Sequence, residues 1–504
     1  MAFSGQLKGI FGSGPQRVAP PRVSTDEVLP VHFFDDSATN RTLIISWTLR
    51  FNEVLDADKL NNSLQKLLSI GGWRRLGGRL RETKDGKLEI HIPQEFTPER
   101  PAVGYSHETF GISIAEHPLA SRLPQASDRP YVHDFGDEFM NLAVRQDTPR
   151  VFEDYTCTDN PQLALHVISF MDATLVSLAW PHITTDAMGL HALVTNWCKV
   201  LAGREGEVTP LGGLQNDPLE TVGTGSVPEQ EERWMYKDQA IAGISMLIWV
   251  LRFVWEIIWV RKQEPRIIFL PAASVKGLRE RAINELAAEA KNADEKPFLS
   301  EGDVLTAWAT RMACLHLSPS SKQGVSVMNV FEVRSRLPSI FKAGAVYIGN
   351  FVFPSWTLFT AGELLTQPLG KLALKLRTNL AAQITEGQVR GMLRTMRETM
   401  ASAGRPALVL QPRSIMMTFS SWTKAKFFDV VDFSPAIIKG GKPGLVVPKP
   451  GHPVYYHSAP VTPPPTMRNV YNISGKDAAG NYWITGVLLP QIWPKIEEEL
   501  KRMQ

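Results

Sequence analysis

Residues 174–203, TLVSLAWPHITTDAMGLHALVTNWCKVLAG, constrain the fold of this chain more than any other stretch. Residues 174–180 are a short, mostly apolar run of the kind that fills an interior strand. Beyond a turn, Leu190, Leu193, Val194, Trp197 and Leu201 share one helical face, which Gly203 closes. An interior strand that passes through a glycine-containing turn into a helix commits this region to a mixed α/β architecture. The turn itself carries His182 and, four residues on, Asp186.

Periodicity extends the same reading. Leu43, Ile45, Trp47, Leu49 and Phe51 alternate, which predicts a half-buried strand over 42–51, and Leu60, Leu64, Leu67 and Leu68 follow at helical spacing. KLEIHI (87–92) and QLALHVISF (162–170) alternate again. Residues 203–232 are rich in Gly, Pro and acidic side chains and read as a linker. Order resumes with a strand at 266–270, helical patterns at about 274–290 and 300–317, and an alternating strand at 325–333. Ser300 and Asp303 predict a capping box at the second of these helices. The pattern divides the chain into an N-terminal half, 1–202, a crossover, 203–265, and a C-terminal half, 266–504. The crossover contains an apolar helix over 244–260 that is interrupted by Arg252 and Glu256.

Composition narrows the function. A chain of 504 residues that is 43% hydrophobic has material for more than one core. Lys and Arg number 54 against 51 Asp and Glu, with both signs scattered, so no polybasic face for nucleic acid is present. Cys157, Cys198 and Cys314 lie far apart with no CxxC pair, which argues against a zinc site or a disulfide framework and fits a reducing compartment. The first residues, MAFSGQLKGIFGSGPQ, are broken by Gly, Lys and Pro before any apolar run of signal-peptide length, so an intracellular protein is expected.

The spacing His-x-x-x-Asp occurs three times, at His32 and Asp36, at His133 and Asp137, and at His182 and Asp186. Only His182 stands at the end of an apolar strand and the start of a turn into a helix, where a rigid scaffold presents a side chain to a cleft. An imidazole with a reference pKa near ~6.5 is mostly neutral at neutral pH and accepts a proton from a hydroxyl that attacks a carbonyl. On the residues alone, a structural histidine remains the competing reading.

Further stretches join this one. SSWTKAKFFDVVDFSPAIIKGGKPG (420–444), FLSEGDVLTAWATR (298–311), NVFEVRSRLP (329–338) and YIGNFVF (347–353), with HITTDAMG (182–189) ahead of them, occur in an order that resembles the BAHD acyltransferases, and within them the fungal secondary-metabolite branch that includes the trichothecene acetyltransferases. The resemblance covers roughly residues 25–500. It implies a two-domain fold like chloramphenicol acetyltransferase, with the active-site channel at the domain interface. It also implies acyl-CoA, acetyl-CoA in this branch, as co-substrate, an alcohol as acceptor, and neither metal nor acyl-enzyme.

By the same resemblance His182 is the general base, and Ser420 and Trp422 are donors to the developing oxyanion. Asp186 is a structural support paired with Arg334 or Arg336, Gly189 and Asp432 are structural, and Asn350 with Gly349 lines the substrate side or shapes the turn. The coenzyme-binding residues stay open. Two departures stand out. Ala187 follows Asp186 where the family usually has glycine, and the second motif reads Asp432-Phe433-Ser434-Pro435-Ala436 instead of Asp-Phe-Gly-Trp-Gly.

Two other readings compete: a condensation domain of peptide synthetases, although Pro181 replaces the first of its paired histidines, and a catalytically silent, membrane-docked protein of the same fold. The 244–260 segment is expected to lie on a membrane surface without crossing it. A span there would separate His182 from the Ser420 region, and Arg252 and Glu256 are able to pair on one helical face. A monomer in the cytoplasm, or on the cytoplasmic face of an internal membrane, is the expected form.

Overall fold

A computed structural model describes residues 17–225, 232–260, 263–289, 298–442 and 444–503. The reading of the first sixteen residues, and part of the 203–232 segment, lie outside the described residues.

Two sheets organise the molecule. The first has five strands in the order Tyr455–Pro460, Ile44–Phe51, Thr174–Pro181, Ala164–Ser169, Gly104–Thr109, with only the last pair parallel. The second has seven, in the order Val352–Thr360, Gly324–Glu332, Ile415–Ser421, Val470–Lys476, Tyr482–Leu488, Glu264–Leu270, Tyr131–Asp134. Its three strands from Gly324 to Lys476 in that order run parallel, and the other pairs are antiparallel. Each half of the chain lends a strand to the other's sheet: Tyr131–Asp134 joins the C-terminal sheet and Tyr455–Pro460 the N-terminal one.

Helices cover the sheets with the faces their sequences dictate. Ala57–Leu67, capped by Asp56, packs Leu60, Leu64 and Leu67 into a core shared with Trp47, Leu49, Phe51 and the helix Ala187–Leu201. Ala272–Glu289, Glu301–Cys314 and Leu369–Gln383 form a second core against the larger sheet. Ser300 accepts from the Asp303 N–H while the Asp303 carboxylate accepts from the Ser300 N–H, so both halves of the capping box at Glu301–Cys314 are present.

Two expectations need correction. The strand Ile44–Phe51 is buried on both faces, not one: Trp47, Leu49 and Phe51 enter one core, while Ile44 packs on the other face with Leu80 and Val461, and Ser46 and Thr48 are buried beside it. The 203–232 segment is also more than a linker. Leu219 and Val222 are fully buried in a third core with Trp234, Trp356 and Leu393, and Leu211 bridges to Val346. Gly and Pro mark where that segment turns, but its sparse apolar residues are what anchor it.

Candidate active site

The strand Thr174–Pro181 carries His182 to the edge of a channel of about 2050 Å³ between the two sheets. The ladder continues one residue past the strand, since the His182 N–H donates to the Leu43 carbonyl at 2.7 Å. His182 is the one histidine among the described residues that lines the channel. His32 is buried in the N-terminal loop with both ring nitrogens unpartnered, and Asp36 pairs with Arg41. His133 pairs with Ile267 inside the larger sheet, beside Tyr131 and Phe139. Spacing alone does not separate the three, whereas position at a strand end does.

The turn after His182 is held by Asp186, which is buried. Its side chain caps Ala187–Leu201, accepting from the N–H groups of Met188 at 3.0 Å and Gly189 at 2.9 Å. Arg334 makes a bidentate pair with it, Nη1 to Oδ2 and Nη2 to Oδ1, both at 3.0 Å, and donates further to the Tyr347 and Gly349 carbonyls. The partner is therefore Arg334. Arg336 instead lines the channel. Asp186 also accepts from the Phe351 N–H at 2.9 Å, and it makes no hydrogen bond to the imidazole. The glycine that this turn requires stands at 189 and not at 187, because a Cβ on Gly189 would collide with the Thr185 hydroxyl.

Burial lowers the pKa of His182 below the ordinary histidine value; its own carbonyl, the Asp186 charge and the neighbouring Asn350 side chain oppose that shift without reversing it. The ring is thus neutral at neutral pH, as a base must be.

From the opposite sheet, Met416, Thr418 and Ser420 face the channel at the period-two spacing of the strand Ile415–Ser421. Trp422 lines the channel too, but its indole N–H donates to the Ser420 hydroxyl at 3.2 Å rather than into open space. That hydrogen bond leaves the Ser420 O–H free to donate and places the indole behind it, so the two act in series and not side by side.

Two residues stand off the channel. Asn350 is buried outside the channel lining, with its side chain on the His182 carbonyl at 2.8 Å, so of its two expected places it takes the one in the turn. Asp432 accepts from the Ser434 N–H at 3.0 Å just ahead of a short 3-10 turn at Ser434–Ala436, and Phe433 packs on Phe51 and Trp197. This second motif shapes the fold away from the channel. Sequence reasoning missed Thr185 and the cations Arg377, Lys424 and Lys476, all on the channel wall. Isolated cations scattered over about a hundred residues carry no local signal, although Lys424 lies two residues past Trp422.

The helix of the crossover is Gly243–Trp259. Arg252 and Glu256 pair at 2.9 Å on its inner side, and Arg252 donates to the Arg413 carbonyl, while Phe253 reaches the channel wall. Its outer side is apolar: Leu251 is 61% exposed, Trp259 72%, and Trp255 stacks on Trp259. Among the described residues no helix is long and apolar enough to cross a membrane.

These features converge with the comparisons to known proteins. A family model described as the Transferase family matches residues 259–448. The chain is 45% identical to the O-acetyltransferase PaAT-2 of Phomopsis amygdali over 95% of its own length and 99% of that protein's. It is 38% identical to the acetyltransferase BOT5 of Botryotinia fuckeliana over 94% of its length and 90% of that protein's. In three dimensions it is similar to F. sporotrichioides TRI101 complexed with coenzyme A and T-2, with a TM-score of 0.65 at 14% identity, covering 95% of this chain and 98% of that one. The chain belongs to the Transferase family of BAHD acyltransferases. It is an acyltransferase with that family's two-domain fold.

Proposed function

We propose that this protein transfers an acetyl group from acetyl-CoA to a hydroxyl of a fungal secondary metabolite, with His182 as general base. One observation carries the reading: a neutral imidazole at a strand end, the one histidine on the channel wall, faces a space that Ser420 also lines from the opposite sheet. His182 takes the acceptor's proton as the acceptor oxygen attacks the thioester carbonyl. Ser420, with Trp422 behind it, donates to the oxyanion. Collapse of the tetrahedral intermediate breaks the C–S bond, and the imidazolium returns its proton to the departing thiolate. No acyl-enzyme forms, and the step uses no metal.

Both halves of the chain line the site, His182 from the first and Ser420 from the second, and the crossover adds Phe253 and Glu264 to the lining. Arg377, Lys424 and Lys476 line the channel with the Ser420 end of the strand Ile415–Ser421, Lys476 paired with Glu301 and Arg377 4.0 Å from Asp303, two carboxylates that line it as well. Phosphates need positive charge, so coenzyme A enters at this end, where Lys424 stands with the two paired cations, and the alcohol at the other. The apolar outer side of Gly243–Trp259 rests on the cytoplasmic face of an internal membrane beside the acceptor entrance, its charges being turned inward.

The test is thiol release from acetyl-CoA in the presence of hydroxylated terpenoids, polyketides and alkaloids. Product gaining one acetyl group on oxygen supports the proposal. Thiol release confined to amine acceptors contradicts it.

A further inference from the structure

A second buried aspartate lies behind the histidine. Asp35 belongs to the loop between the strand Glu27–Pro30 and the helix Ala38–Thr42, far from the channel motifs in sequence, and is 2% exposed. Its Oδ1 accepts from the Asn350 N–H at 2.5 Å and from the Asn350 side-chain amide at 3.0 Å. The same amide nitrogen donates to the His182 carbonyl at 2.8 Å. Gly349, at φ +141°, lets the carboxylate come this close, since a Cβ there would stand 3.1 and 3.2 Å from its two oxygens. The segment 349–351 is therefore clamped between two aspartates: Asp186, which turns with the histidine, and Asp35, which does not.

The clamp fixes the backbone of the histidine turn. The Asn350 amide nitrogen is held by Asp35 on one side and donates to the His182 carbonyl on the other, while Asp186 accepts from the Phe351 N–H and Arg334 donates to the Gly349 carbonyl. The direction in which the imidazole leaves the turn follows from where that His182 carbonyl is held.

We propose that Asp35 is a positioning residue for His182: through Asn350 it fixes the histidine backbone and with it the direction of the imidazole. This inference rests on His182 being the base. The groups facing Asp35 are His32, whose Nδ1 is 4.0 Å from Oδ2, the buried Arg75, and Asp217. Burial pushes Asp35 up to about 7 against the pull of Arg75 and the Asn350 donors. When Asp35 is protonated the proton sits on Oδ2, which makes no hydrogen bond, and Oδ1 accepts in either state.

Asp35→Ala should lower kcat by about 10- to 100-fold, the scale of a slightly misplaced catalytic group, with KM for both substrates within about threefold and a shifted acid limb of the pH–rate profile. Asp35→Asn, which keeps the acceptor oxygen, should restore most of kcat. Wild-type activity in Asp35→Ala, while His182→Ala is inactive in the same assay, overturns this inference and leaves the base assignment standing; an active His182→Ala overturns the base assignment itself. If Asp35→Ala does not fold, Asn350→Ala, which breaks the same link, decides: a fall in kcat with KM kept supports the proposal, and wild-type kcat refutes it.

Discussion

Asp186 shows how one side chain serves two purposes at the residue scale. It caps a helix and binds Arg334 in a buried bidentate pair. Replacing it by asparagine leaves the guanidinium unmatched, at a cost of about 3–5 kcal/mol where burial is complete. Asp186→Asn is thus expected to lose melting temperature as well as rate, and unchanged melting with a pure rate defect would contradict the structural role. The histidine makes a separate prediction. Its folded pKa is lowered by burial, so the protonated, inactive form accumulates only in acid, and kcat/KM should fall along an acid limb below about pH 6.5. An acid limb above 7 would show that a raised group controls the reaction. The His182, Asp186 and Gly189 turn was legible because its signals are local: an apolar run, a capping acid, and a glycine within eight residues. The Asp35 to Asn350 contact was not, because it joins positions 315 residues apart and neither residue stands in a periodic pattern.

The helix Gly243–Trp259 presents the same contrast at the scale of an element. The sequence predicts the pairing of Arg252 with Glu256 and the apolar remainder, but which side turns outward depends on what the helix packs against. Its charged side meets Arg413 and its outer side is left apolar. The expected outcome is sedimentation of wild-type protein with vesicles of phosphatidylcholine and phosphatidylserine, and loss of that binding in Leu251→Ser, Trp255→Ser, Trp259→Ser with thiol release unchanged. A wild type that ignores vesicles and sediments as a dimer would assign the apolar side to a second copy of the chain. The strand Ile44–Phe51 carries a related lesson. Alternation of Leu43 to Phe51 marks it as a strand, yet its position between two other strands, one of them from residue 455 onward, is a long-range fact that local alternation does not record.

Across the whole molecule, the proposed mechanism depends on bringing together parts of the chain that lie far apart. His182 comes from the five-stranded sheet and Ser420 from the seven-stranded one, and each sheet includes a strand from the other half. The channel exists only where the sheets meet, so the exchange of Tyr131–Asp134 and Tyr455–Pro460 helps hold its walls in register. Periodicity and composition propose two halves and a crossover but give no sign of the exchange, because a four-residue strand such as Tyr131–Asp134 is too short to announce its partner. The account's central claim is that one imidazole at this junction moves the proton, and acetyl transfer by purified His182→Ala beside His133→Ala tests it most directly. The expected result is a loss of about 10²-fold or more in His182→Ala with unchanged folding and near wild-type turnover in His133→Ala. Full activity in His182→Ala, with the loss falling on His133→Ala, would contradict the account.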